Sequence, residues 1–183
     1  MGAGAGQGGN MQVALLGAGI MGSAMARNLV GAGLRTVVWD RSPAATTALS
    51  GAGAVVASSP AEAIQDAPVV ITMLPTADVV SSVIFSEGVP DAFAQDAVWA
   101  QMGTIGVAPT AHIVAQLGQL RPDVTFVDAP VSGSKGPAEA GQLLILASRR
   151  PRPSARCSLP SAAKLFGWAK QVRAAGPQGP SAG

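Results

Sequence analysis

The stretch between residues 12 and 42 constrains the fold more than any other part of this chain. It begins with the uninterrupted apolar run Val13–Leu16, which predicts a strand covered on both faces. A glycine-rich turn follows, and apolar residues then recur at helical spacing, so a helix begins inside the turn. A second apolar strand, Thr36–Trp39, ends at Asp40. Strand, glycine turn, helix, strand and acid is the order of a dinucleotide-binding fold.

The glycines of that turn, Gly17, Gly19 and Gly22, have the spacing G-x-G-x-x-G. The first permits a tight turn, the second lets the backbone approach a pyrophosphate, and the third lets helix and strand pack closely. The free amides of the first helical turn, around Ile20 and Met21, attract phosphate together with the positive end of the helix dipole. We therefore predict a pyrophosphate site here, with a plain glycine turn as the alternative.

The glycine spacing is weak evidence by itself, because 23 of the 183 residues are glycine. Gly4, Gly6 and Gly9 show the same spacing, but no apolar strand precedes them and no periodic helix follows. Context therefore separates the two motifs. The segment 1–10 is of low complexity, and we expect it to be flexible.

The composition favours a buried α/β sheet, since 48% of the residues are hydrophobic and only 12% are charged. A single cysteine, Cys157, excludes an internal disulfide, and a single histidine, His112, argues against a zinc site. We expect His112 to be an ordinary surface or half-buried histidine. No apolar run is long enough to span a membrane, and the first residues lack a signal-peptide pattern. These features predict a cytoplasmic protein with no membrane partner.

Charge divides the chain into two unequal parts. Residues 1–147 hold five Lys or Arg and all ten acids, whereas residues 148–183 hold seven Lys or Arg and no acid. The change predicts a dinucleotide-binding domain over 11–147 and a basic tail over 148–183 that is disordered. The tail lacks the interleaved aromatic residues of a nucleic-acid-binding arm, so we predict no nucleic acid partner. A helix over 161–172 is the alternative there.

Further apolar strands are predicted after the first two, at 54–57, 68–73, 97–101 and 125–129, with helices between them and a turn at 87–90. This alternation predicts an α/β fold with a doubly wound parallel sheet. Ligands bind beyond the carboxyl ends of such strands. We therefore predict a single cleft at the carboxyl edge of the sheet. We expect Trp39 and Trp99, which lie in strands, to be core residues. Five segments line the cleft: Gly17–Gly22, Asp40–Ser42, Met73–Pro75, Met102–Thr104 and Pro130–Lys135.

The segment 127–147, VDAPVSGSKGPAEAGQLLILA, resembles the substrate-loop signature of the β-hydroxyacid dehydrogenases. Residues 17–29, GAGIMGSAMARNL, are similar to the cofactor signature of that family. Met73-Leu74-Pro75 resembles its second cofactor loop, and Met102 with Thr104 matches a D-M-S-T-type segment near the nicotinamide. The resemblance is nearest to the glyoxylate/succinic semialdehyde reductase branch, with 6-phosphogluconate dehydrogenase and imine reductases as relatives.

The resemblance implies roles for several residues. Met73, Leu74, Pro75 and Thr104 would contact the cofactor. Ser132, Gly133 and Ser134 would hold the carboxylate of a small carbonyl or hydroxy-acid substrate through hydroxyl and backbone donors. A polar turn that leads into a strand over 143–147 is the alternative for that segment.

Coenzyme choice depends on Asp40, Arg41 and Ser42, which stand where NADP-dependent members often carry Asn-Arg-Thr. Asp40 would accept hydrogen bonds from an adenosine ribose and repel a 2′-phosphate, whereas Arg41 would pair with that phosphate. We expect NADP or NAD, with NADP slightly favoured. Gln101 and Gly103 replace the usual acid and serine beside Thr104.

After Ala147 the chain departs from the family pattern. The family continues into a helix that carries a lysine as general acid or base, and then into an all-α dimerisation domain. Here Lys164 and Lys170 match by residue type only, so we identify no catalytic residue. We expect a chain truncated or out of frame after the cofactor domain, without the domain through which the family forms homo-oligomers.

By this resemblance the protein is an NAD(P)-dependent oxidoreductase acting on CH–OH groups, and it transfers hydride between nicotinamide and a small carbonyl or hydroxy acid. Without a visible proton donor we expect the present chain to be catalytically impaired. A non-catalytic dinucleotide-binding or interaction module and an imine reductase-like enzyme are the alternatives.

Overall fold

A computed structural model describes residues 11–149 and 171–174. Up to residue 128, strands and helices alternate as the sequence predicts, except that two helices follow one another between residues 77 and 92. The strands are β1 (Gln12–Leu16), β2 (Arg35–Trp39), β3 (Val55–Val56), β4 (Val69–Thr72), β5 (Val98–Gln101), β6 (Thr125–Asp128), β7 (Val131–Ser132), β8 (Leu144–Arg149) and β9 (Gln171–Ala174). The helices are α1 (Ile20–Gly31), α2 (Pro43–Ser50), α3 (Pro60–Ile64), α4 (Ala77–Ile84), α5 (Val89–Ala92), α6 (Val107–Leu120) and α7 (Lys135–Glu139).

The strands form one sheet in the order β3-β2-β1-β4-β5-β6-β8-β7, and β9 pairs with β8. From β3 to β6 all neighbours are parallel. The strand order reverses at β1, which lies between β2 and β4, so the crevice expected of a doubly wound sheet opens there. The predicted fold class is confirmed.

The far edge of the sheet differs from a purely parallel arrangement. β8 runs antiparallel to both β6 and β7. The pairing of β8 with β6 places Ser148 opposite Asp128 and Arg149 opposite Val127. The strand thus continues past the predicted domain boundary at residue 147, because the edge of β6 offers backbone partners to two more residues.

Four residues of the tail, Gln171–Ala174, form β9 beside β8 in parallel register. The sequence predicts a disordered tail, with a helix over 161–172 as the alternative, and neither includes a strand. An edge strand exposes unpaired backbone groups, and a short segment that contains a β-branched residue satisfies them. The rest of the tail and the glycine-rich segment 1–10 lie outside the described residues.

The two faces of the sheet carry separate apolar layers, because successive strand residues point to opposite faces. On one face, Leu15 and Ile71 pack with Met25 and Leu29 of α1. The other layer contains Leu16 and Val70 with side chains of α3, α4 and α6. At its centre, Trp99 lies among Phe85, Phe93 and Phe126 and is fully buried, as predicted.

The predicted turn at 87–90 is confirmed for residues 87 and 88, whereas Val89 and Pro90 already begin α5. Gly88 allows the chain to reverse at φ +78°, and Pro90 suits a first helical turn. The guanidinium of Arg121 donates to the carbonyl groups of Pro90 and Phe93 at 2.7 and 2.9 Å. A contact with a residue 31 positions away therefore stabilises this short helix, and local sequence does not reveal it.

Candidate functional site

The glycine turn between β1 and α1 is closed by backbone contacts that exclude side chains. Gly17 has φ +104°, and a Cβ there would collide with the carbonyl oxygen of Met73. A Cβ on Gly22 would collide with the carbonyl oxygen of Gly17. Gly19 differs, because among the described residues, its chain neighbours aside, no atom lies within 4 Å of the Cβ position. Gly17 and Gly22 thus serve close packing, whereas Gly19 borders open space.

At its N-terminus, α1 presents backbone amide donors that have no side-chain cap. Gly19 is the N-cap residue, and within the part of the chain that the structure describes no side chain accepts from the first amides. Ile20 is 70% exposed, so its side chain does not cover them. By contrast, Ser59 and Thr76 cap α3 and α4 by accepting from the amides of Glu62 and Val79. An open helix N-terminus is suited to an anion.

Asp40 ties the glycine turn to the end of β2. Its Oδ2 accepts from the amide of Ala18 at 2.8 Å, and its Oδ1 accepts from the amide of Ser42 at 2.8 Å. The sequence predicts only a contact with ribose for this residue. Each carboxylate oxygen retains a second lone pair, so the same group can order the loop and accept from a ligand hydroxyl.

A cavity of about 540 Å³ lies beside Asp40, at the carboxyl ends of β2 and β3. It is lined by Trp39, Asp40, Arg41, Pro43, Thr46, Val56, Ala57 and Ser58. Trp39 is half-buried and contributes to the wall, so its assignment to the core is only partly right. The sequence analysis missed Val56, Ala57 and Ser58, although the rule that ligands bind beyond strand ends applies to β3 as well.

The rim of this cavity carries charge of both signs. Arg41 is exposed at one side. At the other, Ser58 donates its hydroxyl and its amide to the carboxylate of Glu62. Both hydrogen bonds lower the pKa of Glu62, and the bond from the hydroxyl of Ser58 has the larger effect. The amide of Glu62 also donates to Oγ of Ser59, so Glu62 and the two serines join at the start of α3.

On the other side of β1, the loops after β4 and β5 pack against each other. The amide of Met73 donates to Leu16, and the amide of Met102 donates to Thr72. A Cβ on Gly103 would lie 2.5 Å from the carbonyl oxygen of Leu74. Leu74 is buried, while Pro75 and Thr104 are exposed at the edge of the sheet.

Ser132, Gly133 and Ser134 are exposed and lead from β7 into α7. Gly133 has φ +145°, and a Cβ there would lie 2.8 Å from the side chain of Leu143. The amide of Val131 donates to the carbonyl of Met102 at 3.3 Å, which joins this segment to the loop after β5.

A second anchor holds the end of that segment. Asn28 of α1 donates from Nδ2 to the carbonyl of Ala138 at 2.7 Å. The helix that begins at the glycine turn therefore also supports α7. The sequence analysis did not identify Asn28, since its partner is 110 residues away.

The prediction that the five loops share one edge of the sheet is confirmed. Parallel register brings Leu16, Trp39, Thr72 and Gln101 to the same level on adjacent strands. The described cavity occupies only the β2–β3 part of that edge. His112 is exposed on α6, in agreement with its predicted surface or half-buried position. Lys164 and Lys170 lie outside the described residues.

Comparison with known proteins identifies the family. Residues 12–158 match the family model of the NAD binding domain of 6-phosphogluconate dehydrogenase. The chain belongs to the β-hydroxyacid dehydrogenase family. Among the described residues, no helix has the length and apolar character needed to cross a membrane.

Two reductases of known name resemble the chain over about three-quarters of its length. Glyoxylate/succinic semialdehyde reductase 1 of Arabidopsis thaliana is 39% identical over 140 residues, which are 75% of this chain and 47% of the relative. The 3-sulfolactaldehyde reductase of Escherichia coli is 38% identical over 136 residues, 74% of this chain and 45% of the relative.

A solved structure gives the same picture. The 3-hydroxyisobutyrate dehydrogenase of Mycobacterium tuberculosis, described with L-serine, has a TM-score of 0.80 and 30% identity. The match covers 90% of this chain and 54% of that structure. The chain spans about half the length of these β-hydroxyacid dehydrogenase relatives.

Proposed function

We propose that this chain binds a nicotinamide dinucleotide and belongs to a reductase of small aldehydes that carry an acidic group. The observation that carries the proposal is the uncapped, glycine-opened N-terminus of α1 beside Asp40 and the cavity. The names of the Arabidopsis and Escherichia coli relatives support the substrate class, since glyoxylate, succinic semialdehyde and 3-sulfolactaldehyde are all acidic aldehydes.

In this proposal the amides of Gly19, Ile20, Met21 and Gly22 hold the pyrophosphate, and Gly17 shapes the turn. The cavity at β2 and β3 holds the adenosine, with Asp40, Arg41 and Ser42 at the ribose. The nicotinamide half then extends across β1 toward Met73, Leu74, Pro75 and Thr104, because the pyrophosphate lies at the centre of the crevice. The coenzyme supplies the hydride, and the chain orients it.

The substrate would lie against Ser132, Gly133 and Ser134, which are exposed next to the loop that carries Thr104. Hydroxyl and amide donors suit a carboxylate or sulfonate. Within the described residues the lysine available is Lys135, which is exposed and 3.7 Å from Glu139. We assign it no catalytic role and expect weak turnover, since general acid–base help contributes roughly 10²–10⁴-fold.

We further propose that NADP is slightly preferred over NAD. Arg41 stands exposed at the mouth of the cavity, and the carboxylate of Asp40 is engaged by two backbone amides. A guanidinium suits a 2′-phosphate. Cytoplasmic location stays a prediction from the sequence.

The decisive experiment is calorimetric titration of the full chain with NADPH and NADH, using Gly19→Ala as the test variant. Because Gly19 has φ −64° and open space at its Cβ position, the alanine variant should fold normally. Its methyl group would stand where the pyrophosphate approaches, so we expect affinity to fall roughly tenfold or more.

Gly118→Ala is the matched control, since Gly118 also has open space around it but lies on α6. Its coenzyme affinity should equal that of the wild type. A folded wild-type chain that binds neither coenzyme, or a Gly19→Ala variant that binds as well as the control, would refute the proposal. Robust turnover of succinic semialdehyde with NADPH would overturn only the expectation of weak activity.

A further inference from the structure

A chain of three hydrogen bonds crosses the sheet beneath the loops after β4 and β5. Nε1 of Trp99 donates to the hydroxyl of Thr72 at 2.8 Å, and that hydroxyl donates to Oε1 of Gln101 at 2.5 Å. Nε2 of Gln101 then donates to the carbonyl oxygen of Gly103 at 3.0 Å. Trp99, Thr72 and Gln101 are each fully buried.

The two ends of this chain determine its direction. An indole nitrogen only donates, and a backbone carbonyl only accepts. The hydroxyl of Thr72 must therefore donate onward, and the group at position 101 must accept at one end and donate at the other. A neutral amide does both, whereas an ionised carboxylate only accepts.

Gln101 acts on both loops through its last bond. Thr72 is the final residue of β4, directly before the loop that carries Met73, and Gln101 is the final residue of β5. Gly103 is closely packed between the two loops, because a Cβ added there would lie 2.5 Å from the carbonyl oxygen of Leu74 and 3.2 Å from Nε2 of Gln101. The amide side chain thus occupies space that a larger residue at 103 would need.

Packing alone does not explain an amide at this position. Neighbouring buried strand residues on this face, Val70 and Phe126, are apolar. A buried polar chain costs free energy unless every member is satisfied, so an apolar residue would serve stability at least as well. The polar chain has a further consequence: it orients the carbonyl of Gly103 and holds the 102–104 loop against Leu74.

We propose that Gln101 is a positioning residue that sets the two loops contacting the nicotinamide half of the coenzyme. The inference rests on the proposed function, and it follows from topology. The cavity lies on the β2–β3 side of β1, so the other half of a dinucleotide must extend over the ends of β4 and β5.

The test compares two ligands that differ only in the nicotinamide. The full chain is titrated with NADPH and with 2′-phospho-ADP-ribose, and in parallel with NADH and ADP-ribose. In Gln101→Glu, the affinity for the reduced coenzyme should fall by roughly tenfold, while the affinity for the fragment without nicotinamide stays within about twofold. General destabilisation of the fold would lower the affinity for both ligands alike.

The pH profile supplies a second readout. Burial raises the pKa of the introduced carboxyl, since the side chain at position 101 is fully buried. In its protonated form this group still donates to Gly103. The loss in Gln101→Glu should therefore be small near about pH 5.5 and large near about pH 8.5. Gln119→Glu, on the exposed side of α6, is the control and should bind both ligands like the wild type at either pH.

Equal loss of both ligands, or no loss at any pH, would overturn the inference. If wild type binds neither the coenzyme nor its fragment, the proposed function fails first. Should Gln101→Glu not fold, Thr72→Val and Thr72→Ser replace it. Valine breaks the chain at its centre and should weaken only the reduced coenzyme, whereas serine keeps the hydroxyl and should restore binding.

Discussion

The two ends of the parallel strands are built in opposite ways. At the carboxyl end, the glycine turn leaves the first amides of α1 without a side-chain cap. At the amino end, Arg121 donates to the carbonyls of Pro90, Phe93 and Ala94 and forms an ion pair of 2.6 Å with Asp123. One end keeps backbone groups open for a ligand, and the other satisfies them internally.

This difference separates binding from stability. Satisfied backbone groups at the amino end lower the free energy of the fold without offering anything to a ligand. Open donors at the carboxyl end contribute little to stability and remain available to bind an anion. Substitutions at the two ends should therefore have different signatures, and three of them test the comparison.

The largest effect is expected from Gly17→Ala. The methyl group would meet the carbonyl of Met73, and alanine would have to adopt φ +104°. We expect unfolding free energy to fall by about 3 kcal/mol or more, with loss of coenzyme binding. Denaturant unfolding measures the change, with Gly118→Ala as control. A stable, coenzyme-binding Gly17→Ala variant would show that the turn is looser than described.

A smaller effect, confined to stability, is expected from Arg121→Ala. The change leaves the carbonyls of Pro90 and Phe93 without their donor, which costs about 2 kcal/mol of unfolding free energy. Coenzyme affinity at the opposite end should not change. Arg35→Ala removes an exposed arginine at the start of β2 and is the control. Weakened binding in folded Arg121→Ala protein would contradict the separation of the two ends.

The smallest effect is expected on the stability of the fold at acidic pH. The hydrogen bond from Arg121 lowers the pKa of Asp123 from 3.8 to about 2. The stabilisation of the folded state by this ion pair is complete above the ordinary pKa of an aspartate, and it is lost as the pH falls through about 2. Because the carboxylate is 29% exposed, the loss is about 1 kcal/mol.

Unfolding as a function of pH checks this expectation. Asp123→Asn should remove this part of the acid dependence, whereas Glu87→Gln, at an exposed position, should not. An unchanged acid profile in Asp123→Asn would exclude the pair as its source.

Much of the site was predictable because its parts are local. Gly17, Gly22 and the apolar residues after them specify a turn and a helix within a short span, and Asp40 follows the next strand at once. The cavity wall at Ala57 and Ser58 was not predicted, because it depends on β3 lying next to β2. The contact of Gly103 with Leu74 likewise joins loops that are far apart in sequence.

By itself, the sequence determined the fold class, the position of the glycine turn and the order of strands and helices up to β6 apart from α5, since these follow from periodicity and from residues close together in the chain. Only the tertiary structure decided that Asp40 bonds to Ala18 and Ser42, that Asn28 supports α7, and that Gln101 links Thr72 to Gly103. Such contacts depend on strand register and helix packing, which bring together groups that no local pattern relates.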